Sequence, residues 1–228
     1  MTAVWLSAAL FCLQAADPDL GAALDKVRNS ERYAFKIEWT RQAGENAVSD
    51  SLEGRFQKDQ PAWMKSGELE VYRKGEALVH LRKGIWTTIP VKDSDRRRTR
   101  DSVAPATLRT LRLPHEELAG LEKRFTEIKK LDAKEGDQTV YVGELTEDAA
   151  KAFADANTER KLEGAPAGTG RFWVTPSGEL AMVELIVRVK AKGKGARDPG
   201  VSMWITLKEV GTAKAEVPES AVKALEEK

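Results

Sequence analysis

From Tyr33 to Arg41 the chain alternates: Tyr33, Phe35, Ile37 and Trp39 fall on one parity, and Ala34, Lys36, Glu38 and Thr40 on the other. Side chains on a strand alternate faces, so this stretch predicts a strand with one aromatic face to be covered and one wet face. The same alternation returns at Leu52, Gly54 and Phe56, resumes at Trp63-Met64 after the Asp59-Gln60-Pro61 break, and continues through Leu69–Arg73, Ala77–Arg82 and Ile85–Ile89. Lys74-Gly75-Glu76 and Lys83-Gly84 carry turn signals. The polar run Gln42–Ser51 is read as a turn, which gives a meander of about five antiparallel strands up to Pro90.

Helical spacing brackets this meander. Before it, Leu20, Leu24 and Val27 follow the acidic start Asp17-Pro18-Asp19 and stop at Asn29-Ser30. After it, the apolar-free run Lys92–Asp101 reads as an exposed loop, and Pro105, Leu108 and Leu111 mark a short helix. Leu118, Leu121, Phe125, Ile128 and Leu131 then recur at helical spacing, predicting a longer helix with Glu116-Glu117 near its start and Lys129-Lys130 near its end. Thr139–Leu145 is a strand. Thr146 caps a helix with Ala149, Ala150, Phe153 and Ala154 on its apolar side, and the glycine-rich Glu163–Gly170 reads as a flexible link. Arg171 begins a strand that turns at Pro176-Ser177-Gly178 into the long Leu180–Val189 strand; a basic turn, Lys190–Gly200, leads to Val201–Leu207. Val217-Pro218-Glu219 precedes a short terminal helix.

Runs of strands interrupted by helices predict an α+β fold. The expected form is a curved antiparallel sheet of about eight to nine strands, an open half-barrel with helices plugging the concave side. The N-terminal run Ala3–Leu13 is uncharged and apolar, has the length of a signal-peptide core, and is followed by Ala15-Ala16. The expected organisation is therefore a signal peptide at 1–16 and a single domain at 17–228, with a helical insertion at about 146–168. Periplasmic or secreted localisation follows. Cys12, the only cysteine, lies inside this leader after Leu10-Phe11, a context that does not favour lipidation, so the mature chain has no disulfide framework or thiol nucleophile.

Charge and motif content narrow the chemistry. Charged residues make up 32% of the 228 residues and balance to +1, unlike a dedicated nucleic-acid binder. His80 and His115 are the only histidines; His80 reads as solvent-facing on its strand and His115 as a helix-start residue, with Ala119 where a zinc-protease helix would carry its second histidine. No nucleophile elbow, phosphate-binding loop or dinucleotide fingerprint is present, and no carboxylate is set in an apolar context that would raise its pKa. The expectation is a non-enzyme with no cofactor and no metal. Arg96-Arg97-Arg98 with Arg100, and the basic Arg188–Arg197 stretch, read first as solvated loops and second as a landing site for anionic headgroups, which would allow peripheral membrane contact, or for an acidic partner. Five tryptophans beyond the leader, Trp39, Trp63, Trp86, Trp173 and Trp204, read as core, with a minority able to line an apolar cavity.

The helix leading into Tyr33–Ile37, the hairpin from Glu76 through Gly84 to Ile85-Trp86, the Arg171–Val189 hairpin with its Pro-Ser-Gly turn, and the closing Val217-Pro218-Glu219-Ser220-Ala221 together resemble the LolA/LolB-type periplasmic lipoprotein carriers and their mycobacterial lipid-binding relatives. The resemblance implies a helix preceding an open antiparallel half-barrel whose mouth is filled by helices, and a lipid or lipoprotein acyl chain as ligand. The cavity wall so expected is Tyr33, Phe35, Ile37, Trp39, Phe56 and Trp86 from the sheet, with Leu118, Leu121, Phe125 and Ile128 from the plug. The alternative is an envelope interaction or sensor module of the same fold with a filled core and a protein partner.

Overall fold

The computed structural model describes residues 19–43, 46–89, 112–157, 164–190 and 198–227. The readings made at the leader, at Lys92–Asp101, at Pro105–Leu111 and along most of the basic 188–197 turn lie outside the described residues.

Helix α1 (Leu20–Arg28) opens on Asp19, whose carboxylate accepts the Gly21 N–H at 2.8 Å, and closes at Asn29. Its buried stripe is Leu20, Ala23, Leu24 and Val27, the one-sided spacing that a helix on a sheet requires. Six strands follow: β1 (Arg32–Ala43), β2 (Asn46–Gln57), β3 (Ala62–Ser66), β4 (Leu69–Lys74), β5 (Ala77–Arg82) and β6 (Ile85–Ile89). A one-turn helix (Pro114–Glu117) and a 3₁₀ turn (Leu121–Arg124) lead into β7 (Phe125–Lys130) and β8 (Thr139–Leu145). Helix α2 (Glu147–Asn157), strands β9 (Pro166–Val174), β10 (Leu180–Val189) and β11 (Gly200–Lys208), and helix α3 (Glu219–Glu226) complete the chain.

All eleven strands belong to one sheet in the order β6-β5-β4-β3-β2-β1-β11-β10-β9-β8-β7. Every neighbouring pair is antiparallel, and β6 and β7 are the two edges. Strand β1 sits at the centre between β2 and β11, so the beginning and end of the fold are zipped together there. The architecture is α+β with a large open antiparallel sheet.

The strand count exceeds the eight to nine expected for two reasons. Strand β3 is a separate strand rather than the continuation of β2. Strand β7 occupies sequence read as helix: the periodic Leu118–Leu131 stretch is a helical turn, a 3₁₀ turn and a strand. Gly120, at φ +65°, breaks the path between the helical turn and the 3₁₀ turn that it caps. Two loop readings are also corrected. Within the run read as a turn, Gln42–Ala43 and Asn46–Ser51 are the far arms of β1 and β2, joined across the strands by Thr40–Ser49 at 3.0 Å and Arg41–Asp50 at 2.8 Å. The glycine-rich Glu163–Gly170 is strand from Pro166 onward.

One face of the sheet carries the main core: Tyr33, Phe35, Ile37 and Trp39 of β1, Met64, Val71 and Leu78 of β3–β5, and Val183, Leu185, Met203 and Ile205 of β10–β11, covered by α1, α2 and the 113–124 segment. A smaller core lies on the opposite face, where Tyr72 and Val79, with Trp63 and Trp86 beside them, pack under Ala221 and Leu225 of α3. The terminal helix therefore covers the outer face of β4–β6.

Candidate functional site

The centre of the covered face is built by register. Ile37 lies opposite Ile205, Trp39 opposite Met203, and Leu185 opposite Met203 from the other side. Directly paired residues share a face, so these form one apolar floor across β1, β11 and β10. Helix α2 lies over β9, β10 and β11 as a roof. Thr146 starts it by accepting the Ala149 N–H at 3.2 Å, with Glu147 and Asp148 in the first turn, where acid favours the helix dipole. Ala150, Phe153 and Ala154 are its buried stripe, and the flank that borders the cleft is small, with Ala149, Ala152 and Ala156 beside the single large Phe153.

Between floor and roof is a cleft of about 760 Å³. Its base is Ile37, Trp39, Leu185, Met203 and Ile205. Ile205 and Leu185 are 0% and 1% exposed, whereas Trp39 and Met203 each keep 6%, so the cleft reaches the floor chiefly through those two. The rim is charged, with Arg112, Glu117, Lys123, Arg124 and Asp148. Arg124 and Glu117 pair at 2.7 Å.

The wall formed by Leu113–Arg124 is fastened to the sheet at two places. Arg28 of α1 donates to the Leu118 carbonyl from Nε at 3.1 Å and from Nη2 at 3.0 Å, and also pairs with Glu122 and with Asp25. The hydrogen bond from Arg28 holds the Glu122 carboxyl below its ordinary range. On the other side the Tyr33 hydroxyl meets His115 Nδ1 at 2.5 Å and accepts the His115 backbone N–H at 3.3 Å. With the imidazole neutral, the phenol donates to Nδ1. Burial lowers the His115 pKa from its ordinary value and raises that of Tyr33, which keeps both groups neutral. Glu116 accepts the Leu113 N–H at 2.7 Å and pairs with Arg73 at 3.3 Å.

The candidate wall residues divide among three places. Ile37, Trp39 and Leu121 line the cleft. Tyr33, Phe35, Phe56 and Leu118 are in a solid part of the same core: Tyr33 stacks on Phe56 at 5.1 Å and meets Phe35 edge-on at 5.9 Å, Phe56 lies 4.4 Å from the His115 ring, and Leu118 is fully buried. Phe125 and the half-buried Ile128 sit toward the β7 edge, where Phe125 meets Phe172 edge-on at 5.4 Å. A Cβ on Gly170 would come within 2.5 Å of the Phe125 ring, so glycine there makes room for the ring. Trp86 is on the outer face, edge-on to Tyr72 at 5.7 Å. Missed from the sequence were Leu145, Leu185, Met203, Ile205 and the cleft side of α2. The signal available for them was the shared parity of the late strands and the run of alanines in α2.

Two readings of polar groups are corrected. His80 is buried at 8% exposure rather than solvent-facing, because it lies opposite Val71 on the covered face. Glu184 is a buried carboxylate at 6% exposure, in an outer-face cluster where it is registered opposite Arg171 and Trp204. Burial raises its pKa, and the Arg171 charge opposes the rise. Trp173 and Trp204 stack at 5.8 Å there, and Glu135 accepts from Trp173 Nε1 at 2.8 Å and from Arg171 at 2.7 Å. Among the described residues, no group of His, Cys, Asp and Glu side chains is placed to hold a metal ion. Likewise no described helix is long and apolar enough to cross a membrane.

No protein-family model and no curated protein matches this chain. Among solved structures, it is similar to LprF from Mycobacterium bovis, at 12% identity and a TM-score of 0.49, with 89% of this chain and 98% of that chain covered. It is also similar to a LolA-superfamily protein from Nitrosomonas europaea, at 11% identity and a TM-score of 0.34, with 87% of this chain and 94% of that one covered.

Proposed function

We propose that this protein is an exported carrier that binds the acyl chain of a lipid or lipoprotein in the cleft between the sheet and α2. The observation that carries this reading is the cleft itself: about 760 Å³, with an apolar base and an alanine-lined roof. That volume lies within the range of small-molecule sites. An acyl chain against Trp39 and Met203 would gain about 0.8 kcal/mol for each methylene removed from water. The lining favours binding over catalysis. Among the described residues it holds no histidine, serine or cysteine, and its one hydroxyl, Thr146, accepts a hydrogen bond at the start of α2. Export is supported by the leader-like N-terminus.

The alternative, an envelope interaction module with a filled core, draws on the Tyr33–Phe56–His115 region, which is packed through. Native mass spectrometry of the protein, exported and purified without detergent, separates the two. An extractable lipid mass, together with uptake of a fluorescent fatty acid that Met203→Trp abolishes, is the expected result. A bare mass with no probe uptake would overturn the carrier reading in favour of the interaction module.

A further inference from the structure

The rim of the cleft is not charge-balanced. Arg124 is satisfied by Glu117 at 2.7 Å. Arg112 and Lys123, both exposed, have no ion pair or side-chain hydrogen bond among the described residues, and neither does Asp148 on the same lining. Arg112, Lys123 and Asp148 thus line an apolar cleft without salt bridges of their own, although Lys123 lies beside Glu122, whose carboxylate is engaged by Arg28. Both cations line the same cleft. Arg112 directly precedes the buried Leu113, and Lys123 lies in the 3₁₀ turn of the wall that Arg28 and the Tyr33–His115 hydrogen bond fasten down.

Resting on the carrier reading, we infer that this rim selects an anionic headgroup: the cleft takes an amphiphile whose tail lies over Trp39 and Met203 and whose carboxylate or phosphate is held by Arg112 and Lys123. A guanidinium and an ammonium supply charge-assisted donors to such a group. A neutral ester gives them nothing ionic to hold, and a cationic headgroup would meet repulsion from both. Asp148 opposes the preference, so its neutralisation strengthens binding of an anion.

The test compares a fluorescent fatty acid with its methyl ester on the full chain, at low and high salt. The carboxylate binds several-fold tighter than the ester at low salt, and the difference shrinks as salt screens the exposed rim. Arg112→Glu with Lys123→Glu lowers affinity for the carboxylate roughly tenfold and leaves the ester unchanged. Asp148→Asn raises affinity for the carboxylate. Arg112→Gln with Lys123→Gln repeats the loss more weakly and guards against misfolding of the charge reversal, with thermal unfolding as the control. Equal binding of acid and ester, or charge variants that move both alike, would overturn the headgroup assignment while leaving the carrier reading standing. Tight binding of inorganic phosphate alone would give the two cations to a free anion and also overturn it. Absence of binding by either probe would remove the carrier reading and this inference together.

Discussion

Along β1 the covered face meets two different partners. Tyr33 and Phe35 face Phe56, Met64 and His115, and everything there is in contact: Tyr33 and Met64 are 0% exposed, and a Cβ on Gly54 would lie 2.4 Å from the Phe35 ring. Two and four residues further on, Ile37 and Trp39 face α2 across open space. Strand, parity and chemistry are the same, so the sheet does not decide which half is hollow. The covering does. Interiors reach native density only when facing volumes match. Aromatic rings and an imidazole fill the first half, whereas α2 presents Ala149, Ala152 and Ala156 to the second. A site for a ligand is made here by what the roof lacks.

The largest effect expected from this contrast is in truncation. Phe35→Ala should cost about 3–5 kcal/mol, since the solid half has nothing to refill the void. Met203→Ala removes a side chain that already borders open volume, and should fall at or below the low end of the usual 2–5 kcal/mol for such a change. Urea unfolding of both variants measures the difference. Equal losses would mean that the second half is packed as tightly as the first.

Adding volume should separate the halves by sign. Gly54→Ala sets a methyl 2.4 Å from Phe35 Cζ and 2.7 Å from the Trp63 carbonyl oxygen, and should cost about 1–3 kcal/mol. Ala149→Leu grows into the cleft and keeps good helix propensity, so its stability should change by no more than about 0.5 kcal/mol while fatty-acid uptake is lost. A strongly destabilised Ala149→Leu protein would argue against free space under α2.

The solid half was more legible than the hollow one. Period-two alternation located β1, β5, β6 and β10, because burial on one face writes itself into parity. Helix ends were legible where a side chain caps the backbone, as at Asp19 and Thr146. The stretch around β7 was misread for a definite reason. A register shift between Phe125 and Glu127 changes the parity of the strand, so Phe125 and Ile128, opposite Leu145 and Gly143, share a face although three apart. A bulged strand thereby imitates helical spacing. The glycines before Arg171 signal flexibility in sequence, but Gly168 and Gly170 are strand residues that admit Leu145 and Phe125. The cleft left little trace, since a cavity depends on volumes missing between elements distant in sequence.

The smallest effects test the hydrogen bond that locks the solid half. Tyr33→Phe keeps the ring stacked on Phe56 and removes the hydroxyl, leaving His115 Nδ1 without its donor, at a cost of about 0.5–1.5 kcal/mol at pH 8. The pH dependence adds a sign. Burial holds the folded His115 pKa below its ordinary 6.5, so between those two values the unfolded chain carries a proton that the folded chain does not. Stability therefore falls as pH drops from about 7 through 6.5 and levels off below the folded value. The nearby charges act in opposite directions, Glu116 favouring the protonated imidazole and Arg73 disfavouring it. His115→Gln should remove this part of the slope, read as the difference between variant and wild-type melting temperatures from pH 8 to pH 5.5. Glu184 on the outer face contributes with the opposite sign, because its raised pKa makes the folded chain the better proton binder above 4.5. Subtracting the His115→Gln profile isolates the solid half from that outer carboxylate. If the variant keeps the full acid-side loss, His115 is not the group whose protonation weakens the fold between pH 7 and its folded value.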